Sequence, residues 1–217
     1  MADVSPVARS PISPAPPMTV EHGWEVSARR TGAYLRIMDC TPLAKVLVRA
    51  STGGEAARAL GVRFGRAARD EHGTLVVGSC PGEWLLLAPP GAGAEVAGRV
   101  EETPYAELVS VFDVTHGRAL VRITGARTPD LLAKVCGIDL SERVTPDGAA
   151  FRSSVAKLVT DVVRDDLGGE RSYLLHCERS SGQYLFDALL DAGDEFGIEV
   201  EGFAATEAAL RAVEEDG

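Results

Sequence analysis

The sequence has no Cys-x-x-Cys pair and no histidine at the spacing of a zinc site, so the common structural-metal classes drop out. Its four cysteines, Cys40, Cys80, Cys136 and Cys177, stand far apart and read as small buried hydrophobes. With no secretory signal ahead of them, they point to a reducing, cytoplasmic setting rather than a disulfide framework. No apolar run approaches the roughly 18 residues of a membrane-spanning helix. Basic residues are in deficit, 22 against 32 acidic, for a formal net charge of −10. That balance argues against broad nucleic-acid binding and against docking on anionic lipid, both of which need a cationic surface. Neither Gly-x-Gly-x-x-Gly nor a Walker-type Gly-Lys-Ser/Thr occurs, so the chain alone has no means of cradling a dinucleotide or ATP. The Gly-x-Ser-x-Gly elbow of serine hydrolases is absent too.

What is present is an ordinary globular composition, 217 residues with 45% hydrophobic, enough for a sizeable core in one domain or two small ones. The stretch from Phe112 to Leu132 is the most informative. Val111, Leu120, Val121 and Ile123 favour extended structure, His116-Gly117 interrupts it, and Thr128-Pro129 reads as a helix start. The same order occurs earlier. Asp39-x-Thr41, a short gap, Lys45, Leu47-Val48 and Arg49 correspond to Asp113-x-Thr115, Arg118, Leu120-Val121 and Arg122. Each copy is followed by a helical stretch and later by an apolar strand, Glu83–Ala88 in one case and Ser172–Cys177 in the other. Two related halves are expected, each a small α+β unit of roughly a hundred residues or less.

Residues 1–18 hold Pro6, Pro11, Pro14, Pro16 and Pro17 and predict an extended or disordered arm, with draping over a neighbouring subunit as the sharper alternative. The first half is placed at 19–107, with Tyr34–Met38 and Leu43–Arg49 as its first strand pair, and the second at 108–203. Leu167-Gly-Gly-Glu170 reads as a hairpin loop, and Ser180 with Gln183 has capping-box spacing for the helix that follows. Residues 204–217 are Ala- and Glu-rich and predict a helical tail. Strands joined by short turns indicate α+β, mostly antiparallel sheets with helices on one face, rather than a doubly wound parallel sheet.

Asp113, Thr115 and His116 form the most site-like cluster, because a carboxylate beside an imidazole can set up acid–base chemistry. The competing reading is that Asp and Thr at a strand end bond the amides of the following turn. The first copy keeps Asp39 and Thr41 but has Pro42 where His116 stands, so a role common to both copies is architectural. Trp84 and Tyr173 occupy equivalent places and read as core, with an interface anchor as the alternative. His176, in a strand, reads as a packed histidine, and His22 and His72 have no ligand-type neighbour.

From about Ser27 to Leu190 the chain resembles the gamma subunit of heterotetrameric sarcosine oxidase. The resemblance rests on Leu35-Arg-Ile-Met-Asp39, Lys45-Val-Leu-Val-Arg49, Pro81-Gly-Glu-Trp-Leu-Leu-Leu87, Asp113–Gly125, Asp130–Leu140 and Glu178-Arg-Ser-Ser-Gly-Gln-Tyr-Leu-Phe186, in that order. That family in turn resembles the folate-binding half of the glycine-cleavage T-protein, a duplicated α+β fold of the aminomethyltransferase superfamily. The resemblance implies a cytoplasmic complex with alpha, beta and delta subunits that oxidatively demethylates sarcosine to glycine, a one-carbon unit taken up by tetrahydrofolate, and hydrogen peroxide. FAD, FMN, NAD and tetrahydrofolate would lie on the larger subunits and zinc on the delta subunit. No catalytic, cofactor-binding or metal residue carries over to this chain. The Pro-rich arm is less typical of that family and keeps a related N-methyl amine in view as substrate. The alternative is a stand-alone folate-binding aminomethyltransferase-like or regulatory protein. Against it, the T-protein's acidic segment near an Asn-Gly-Gly turn is missing, and Lys134-Val-Cys-Gly137 matches the regulatory Lys-Gly-Cys-Tyr-x-Gly type only faintly.

Overall fold

The computed structural model describes residues 6–205. The chain begins with β1 (Ala8–Arg9), β2 (Met18–Glu21) and β3 (Trp24–Ser27). It continues through β4 (Leu35–Asp39), β5 (Ala44–Arg49), α1 (Glu55–Leu60), β6 (Arg66–Arg69), β7 (Leu75–Cys80), β8 (Glu83–Ala88) and α2 (Gly93–Glu101). The remainder is β9 (Ser110–Asp113), β10 (Arg118–Thr124), α3 (Thr128–Val135), β11 (Ala150–Val155), β12 (Leu158–Arg164), β13 (Ser172–Glu178), α4 (Gly182–Gly193) and β14 (Ile198–Glu201). The sheets run β1-β3-β2, then β6-β7-β8-β5-β9, then β11-β12-β13-β10-β4-β14. All pairings are antiparallel except β1 with β3 and β14 with β4.

The two large sheets have the same internal order, β6, β7, β8, β5, β9 matching β11, β12, β13, β10, β4. The duplication inferred from the repeated Asp-x-Thr pattern is therefore visible in the strand order. The expected first strand pair is not. β4 lies in the six-stranded sheet and β5 in the five-stranded one, and β9 and β10 are divided the same way in reverse. What reads as a hairpin in each copy is a crossover between sheets. Each sheet thus takes one strand from the other segment, and the 107/108 boundary cuts through interlocked elements rather than between separate bodies.

Strand alternation explains the layers. In β10, Ala119, Val121 and Ile123 face α3 and α4, packing with Leu131, Leu132, Leu185 and Leu189. Leu120 faces the other way, into a cluster shared with Leu75, Val77, Leu85, Leu87, Val163 and Leu174. In β8, Trp84, Leu86 and Ala88 face α2 through Val96 and Val100. The order is helices, sheet, sheet, helices, and burial of both sheet faces is why Trp84–Ala88 is apolar throughout. The sheets also touch at one edge, where Ala67 N donates to Gly148 O at 2.7 Å and Ala150 N to Gly65 O at 3.1 Å.

Several local readings need correction. The described part of the arm, residues 6–18, lies on its own chain: Ile12 is buried in the α3–α4 core and Ser13 N donates to Gln183 Oε1 at 2.7 Å. Gly182 opens α4 where a Cβ would come within 2.6 Å of Ala119 and 2.8 Å of Pro11, so the arm's close approach requires glycine. No side-chain cap forms at Ser181 or Ser180; Gln183 instead donates to Asp187 Oδ1 at 2.8 Å. The Gly168-Gly169 hairpin is as expected, both at positive φ with Leu167 bridged to Glu170. Strands β6 and β11 were not expected; β11 turns into β12 through Ala156 and Lys157 at φ 47° and 68°, without a glycine. The proposed tail, 204–217, lies outside the described residues beyond Ala205.

Candidate functional site

The two crossovers meet and bond each other. Asp39 Oδ1 accepts from Thr41 N at 2.9 Å, and Asp113 Oδ1 accepts from Thr115 N at 2.8 Å. Thr41 Oγ1 then accepts from Leu120 N at 3.2 Å, while Thr115 Oγ1 accepts from Lys45 N at 3.0 Å. The backbone repeats the exchange: Cys40 N donates to Leu120 O and Val114 N to Lys45 O, each at 2.8 Å. These bonds set the true equivalence of the copies. Lys45 corresponds to Leu120, not to Arg118, and Arg122 corresponds to Leu47 rather than to Arg49. Under this register Val48 opposite Trp84 matches Ile123 opposite Tyr173, so those two aromatics are equivalent as expected.

Lys45 is fully buried at this junction. Its Nζ donates to the carbonyls of Thr41 at 2.7 Å, Leu43 at 2.8 Å and Thr115 at 3.3 Å, joining one crossover to the other. Burial pushes its pKa down to about 7, against the pull of Asp39, Cys40 and Asp113. Burial likewise raises the Asp39 carboxyl and pushes the Cys40 thiol up to about 12, so the thiol is no nucleophile at neutral pH. The acid–base pair contemplated at Asp113 and His116 does not assemble. The Asp113 carboxylate caps its own turn, and His116 stacks on Trp24 with ring centroids 4.8 Å apart. The shared role of the Asp-x-Thr words is architectural.

Two ion-paired groups lie between the sheets. Arg122, buried, donates through Nη2 to Asp165 Oδ2 at 2.7 Å and through Nη1 to Ser172 Oγ at 2.8 Å, and Arg69 reaches the same carboxylate at 3.0 Å. Across the molecule, Glu83 receives both Arg49 at 2.9 Å and Arg152 at 2.9 Å. Arg152 also donates to both oxygens of Asp161, at 2.8 and 2.9 Å. His176 Nε2 comes within 3.0 Å of Asp161 Oδ2. Burial works to raise Asp161, but His176, Arg152 and Ser79 together hold it below the usual carboxylate range. Burial also brings His176 down to about 4, so at neutral pH Arg152 supplies the positive charge at this carboxylate. These side chains tie the halves together; each acid is already matched to a guanidinium, which leaves no poised base.

A depression of about 430 Å³ lies beside α1 and is lined by residues that include Arg58, Arg63, Phe64, Cys80 and Trp84. Trp84 belongs to the core there, its Nε1 donating to Val62 O at 2.6 Å. Among the described residues, no group of three His, Cys, Asp or Glu side chains could hold a metal ion. No helix among them is long and apolar enough to cross a membrane.

Compared with known protein families, residues 74–216 match the model of the GCVT N-terminal domain. The chain belongs to the GCVT family. A relative in this family is the sarcosine oxidase gamma subunit of Corynebacterium sp. (strain P-1), 28% identical over 190 residues, 82% of this chain and 90% of that protein. The aminomethyltransferase of Saccharopolyspora erythraea is also 28% identical, but over 122 residues, 56% of this chain and 33% of that protein. Among solved structures, heterotetrameric sarcosine oxidase from Corynebacterium sp. U-96, in complex with pyrrole 2-carboxylate, superposes with a TM-score of 0.64 at 25% identity. The match covers 78% of this chain and 89% of that one. The resemblance to gamma subunits read from short words of sequence thus holds along the GCVT fold.

The burial of Lys45 and Asp161 is not marked in the sequence of this GCVT chain. An isolated Lys or Asp in an apolar strand looks the same whether its side chain faces solvent or a second sheet. Tyr173 shows the converse. It is fully buried, yet its hydroxyl has no hydrogen-bond partner. Tyr173→Phe is therefore expected to leave stability within about 0.5 kcal/mol of the wild type or raise it, since no bond is lost and a desolvated hydroxyl is removed. Urea denaturation of the two proteins checks this; a loss above about 2 kcal/mol would reveal a hidden partner.

Proposed function

We propose that this chain is the non-catalytic gamma-type subunit of a heterotetrameric sarcosine-oxidase-like flavoenzyme, acting with alpha, beta and delta subunits in the cytoplasm. The complex would oxidise the N-methyl group of sarcosine, or of a related N-methyl amine. Oxygen would leave as hydrogen peroxide, tetrahydrofolate would take the one-carbon unit, and glycine or the parent amine would be released. FAD, FMN, NAD and tetrahydrofolate would be held by the partner subunits.

The observation that carries this reading is coverage. The chain matches 90% of a gamma subunit's length but only 33% of an aminomethyltransferase's. The side chains support it. Asp39, Asp113, Asp161 and Lys45 are engaged in holding the halves together, and the space between the sheets is filled by Leu75, Leu85, Leu120 and Leu174.

A stand-alone folate-binding protein could use the depression beside α1, where Arg58 and Arg63 would meet the glutamyl carboxylates. Calorimetric titration of the isolated chain with folinic acid separates the two readings. The expected outcome is no saturable heat, whereas binding that is lost in an Arg58→Ala/Arg63→Ala variant would favour the folate protein.

A further inference from the structure

Among the described residues, the internal duplication leaves one strand position unfilled. In the six-stranded sheet the outer edge of β4 is covered by β14, with Ile198 opposite Leu35 and Val200 opposite Ile37. The equivalent strand of the other half is β9, which ends its sheet. Its inner edge pairs with β5, Phe112 opposite Leu47 and Ser110 opposite Arg49. No described strand pairs with its other edge. Because Val114 N donates to Lys45 O, the alternation of the antiparallel ladder turns the amides of Val111 and Asp113 toward the free edge.

The surroundings match an edge awaiting a strand. By the crossover register, Met38 of β4 corresponds to Phe112, and Ile37 and Leu35 correspond to Val111 and Val109. Met38 is 7% exposed beside β14, whereas Phe112 is 50% exposed and nearby Leu108 is 86% exposed. Val109 and Val111 already pack on the α2 core, as Leu35 and Ile37 pack on that of α4. Ile198 and Val200 of β14 show what a strand placed there does: it extends the helix-side core by two apolar residues. The segment 101–115 has four acidic residues, Glu101, Glu102, Glu107 and Asp113, and no Lys or Arg. An open apolar edge is ordinarily blocked by lysine, proline or a bulge, and none of these is present in β9.

We propose that the free edge of β9 receives a β-strand from a partner subunit of the complex, with apolar residues opposite Val109 and Val111 and with Lys or Arg at its flanks. Main-chain bonds to Val111 and Asp113 give the affinity, and the alternating side chains set the register. This inference rests on the gamma-subunit reading.

The test is amide hydrogen exchange on the full chain, alone and in the complex purified after co-expression with its partner subunits. The expected result is slowing of exchange in the 109–113 segment by about tenfold or more in the complex only. Val111→Pro, which removes a free-edge donor without touching a bond to β5, should weaken assembly while the isolated variant keeps its circular dichroism. Leu108→Lys, at an exposed position, should weaken it as well by repelling the basic flanks. A complex that forms with this segment unprotected overturns the docking proposal and leaves the gamma-subunit reading standing. Failure of the wild-type chain to assemble with any partner subunit overturns both. Protection already present in the isolated chain also overturns it. A dimer by light scattering would then identify a second copy as the occupant, and loss of protection on ending the chain at Ala205 would identify its own last residues.

Discussion

Lys45→Ala is expected to destabilise the folded chain by about 3–5 kcal/mol at pH 6, where the buried amine is charged and has three N–H donors, since it empties a buried volume and leaves three carbonyls without their donor. Those carbonyls belong to both crossovers, so the loss falls on the junction that interlocks the sheets. The pH dependence has a definite sign. The lysine pKa is about 7 in the folded chain, against 10.5 as the ordinary value. Between these values the unfolded chain binds more protons than the folded one, so this group makes stability rise with pH across that window and contributes no slope outside it. In Lys45→Ala that part of the slope disappears. Urea denaturation of both proteins from pH 6 to pH 10 measures it; parallel curves would show that the buried amine does not titrate as described.

Asp165→Ala is expected to cost a further large amount, about 3–5 kcal/mol, because it leaves the Arg122 guanidinium buried without its carboxylate. The same carboxylate also meets Arg69, on the other sheet, so the substitution parts the sheets as well as the pair. For a chain of 217 residues a loss of this size corresponds to a drop in Tm of roughly 10 °C. Arg122 is 2% exposed and its Nε has no partner, so the cation is costly to keep dry. The double variant Arg122→Met/Asp165→Ala should therefore recover most of the loss, an apolar side chain of similar length taking the place of the stranded charge. Thermal melts of the single and double variants decide this. A double variant as unstable as Asp165→Ala alone would show that the loss comes from the Asp165 loop and not from the unpaired arginine.

Much of this architecture is legible in the residues. The repeated Asp-x-Thr words mark the two crossovers, and the apolar runs Trp84–Ala88 and Tyr173–Leu175 mark strands buried on both faces. The crossover itself is not legible. Pro42 and His116-Gly117 look like hairpin turns, and only the bonds from Leu120 N to Thr41 and from Lys45 N to Thr115 reveal that each turn carries the chain to the other sheet. The register between the copies misled for the same reason. Basic residues at Lys45 and Arg118 invite alignment, yet Lys45 is buried at the junction while Arg118 pairs with Glu178 near the surface. Strand β11 was missed because its turn, Ala156-Lys157, takes positive φ without glycine or asparagine to announce it. At the candidate site, the absence of nucleotide motifs was readable directly. The use of Asp39 and Asp113 as turn caps was among the stated alternatives, and the structure selects it. The stacking of His116 on Trp24 depends on an amino-terminal sheet that no local pattern places there.

The central claim is that this GCVT-family chain serves as a held subunit while its partners carry the flavins and the chemistry. The most direct measurement is purification of the tagged full chain after co-expression with its candidate partner subunits, followed by native mass spectrometry and a visible absorption spectrum. The expected result is one copy of this chain in a complex with larger subunits that carry flavin and consume oxygen with sarcosine or another N-methyl amine, while the chain alone is colourless and inactive. A chain that purifies alone with a cofactor bound, or that turns over substrate without partners, would contradict it.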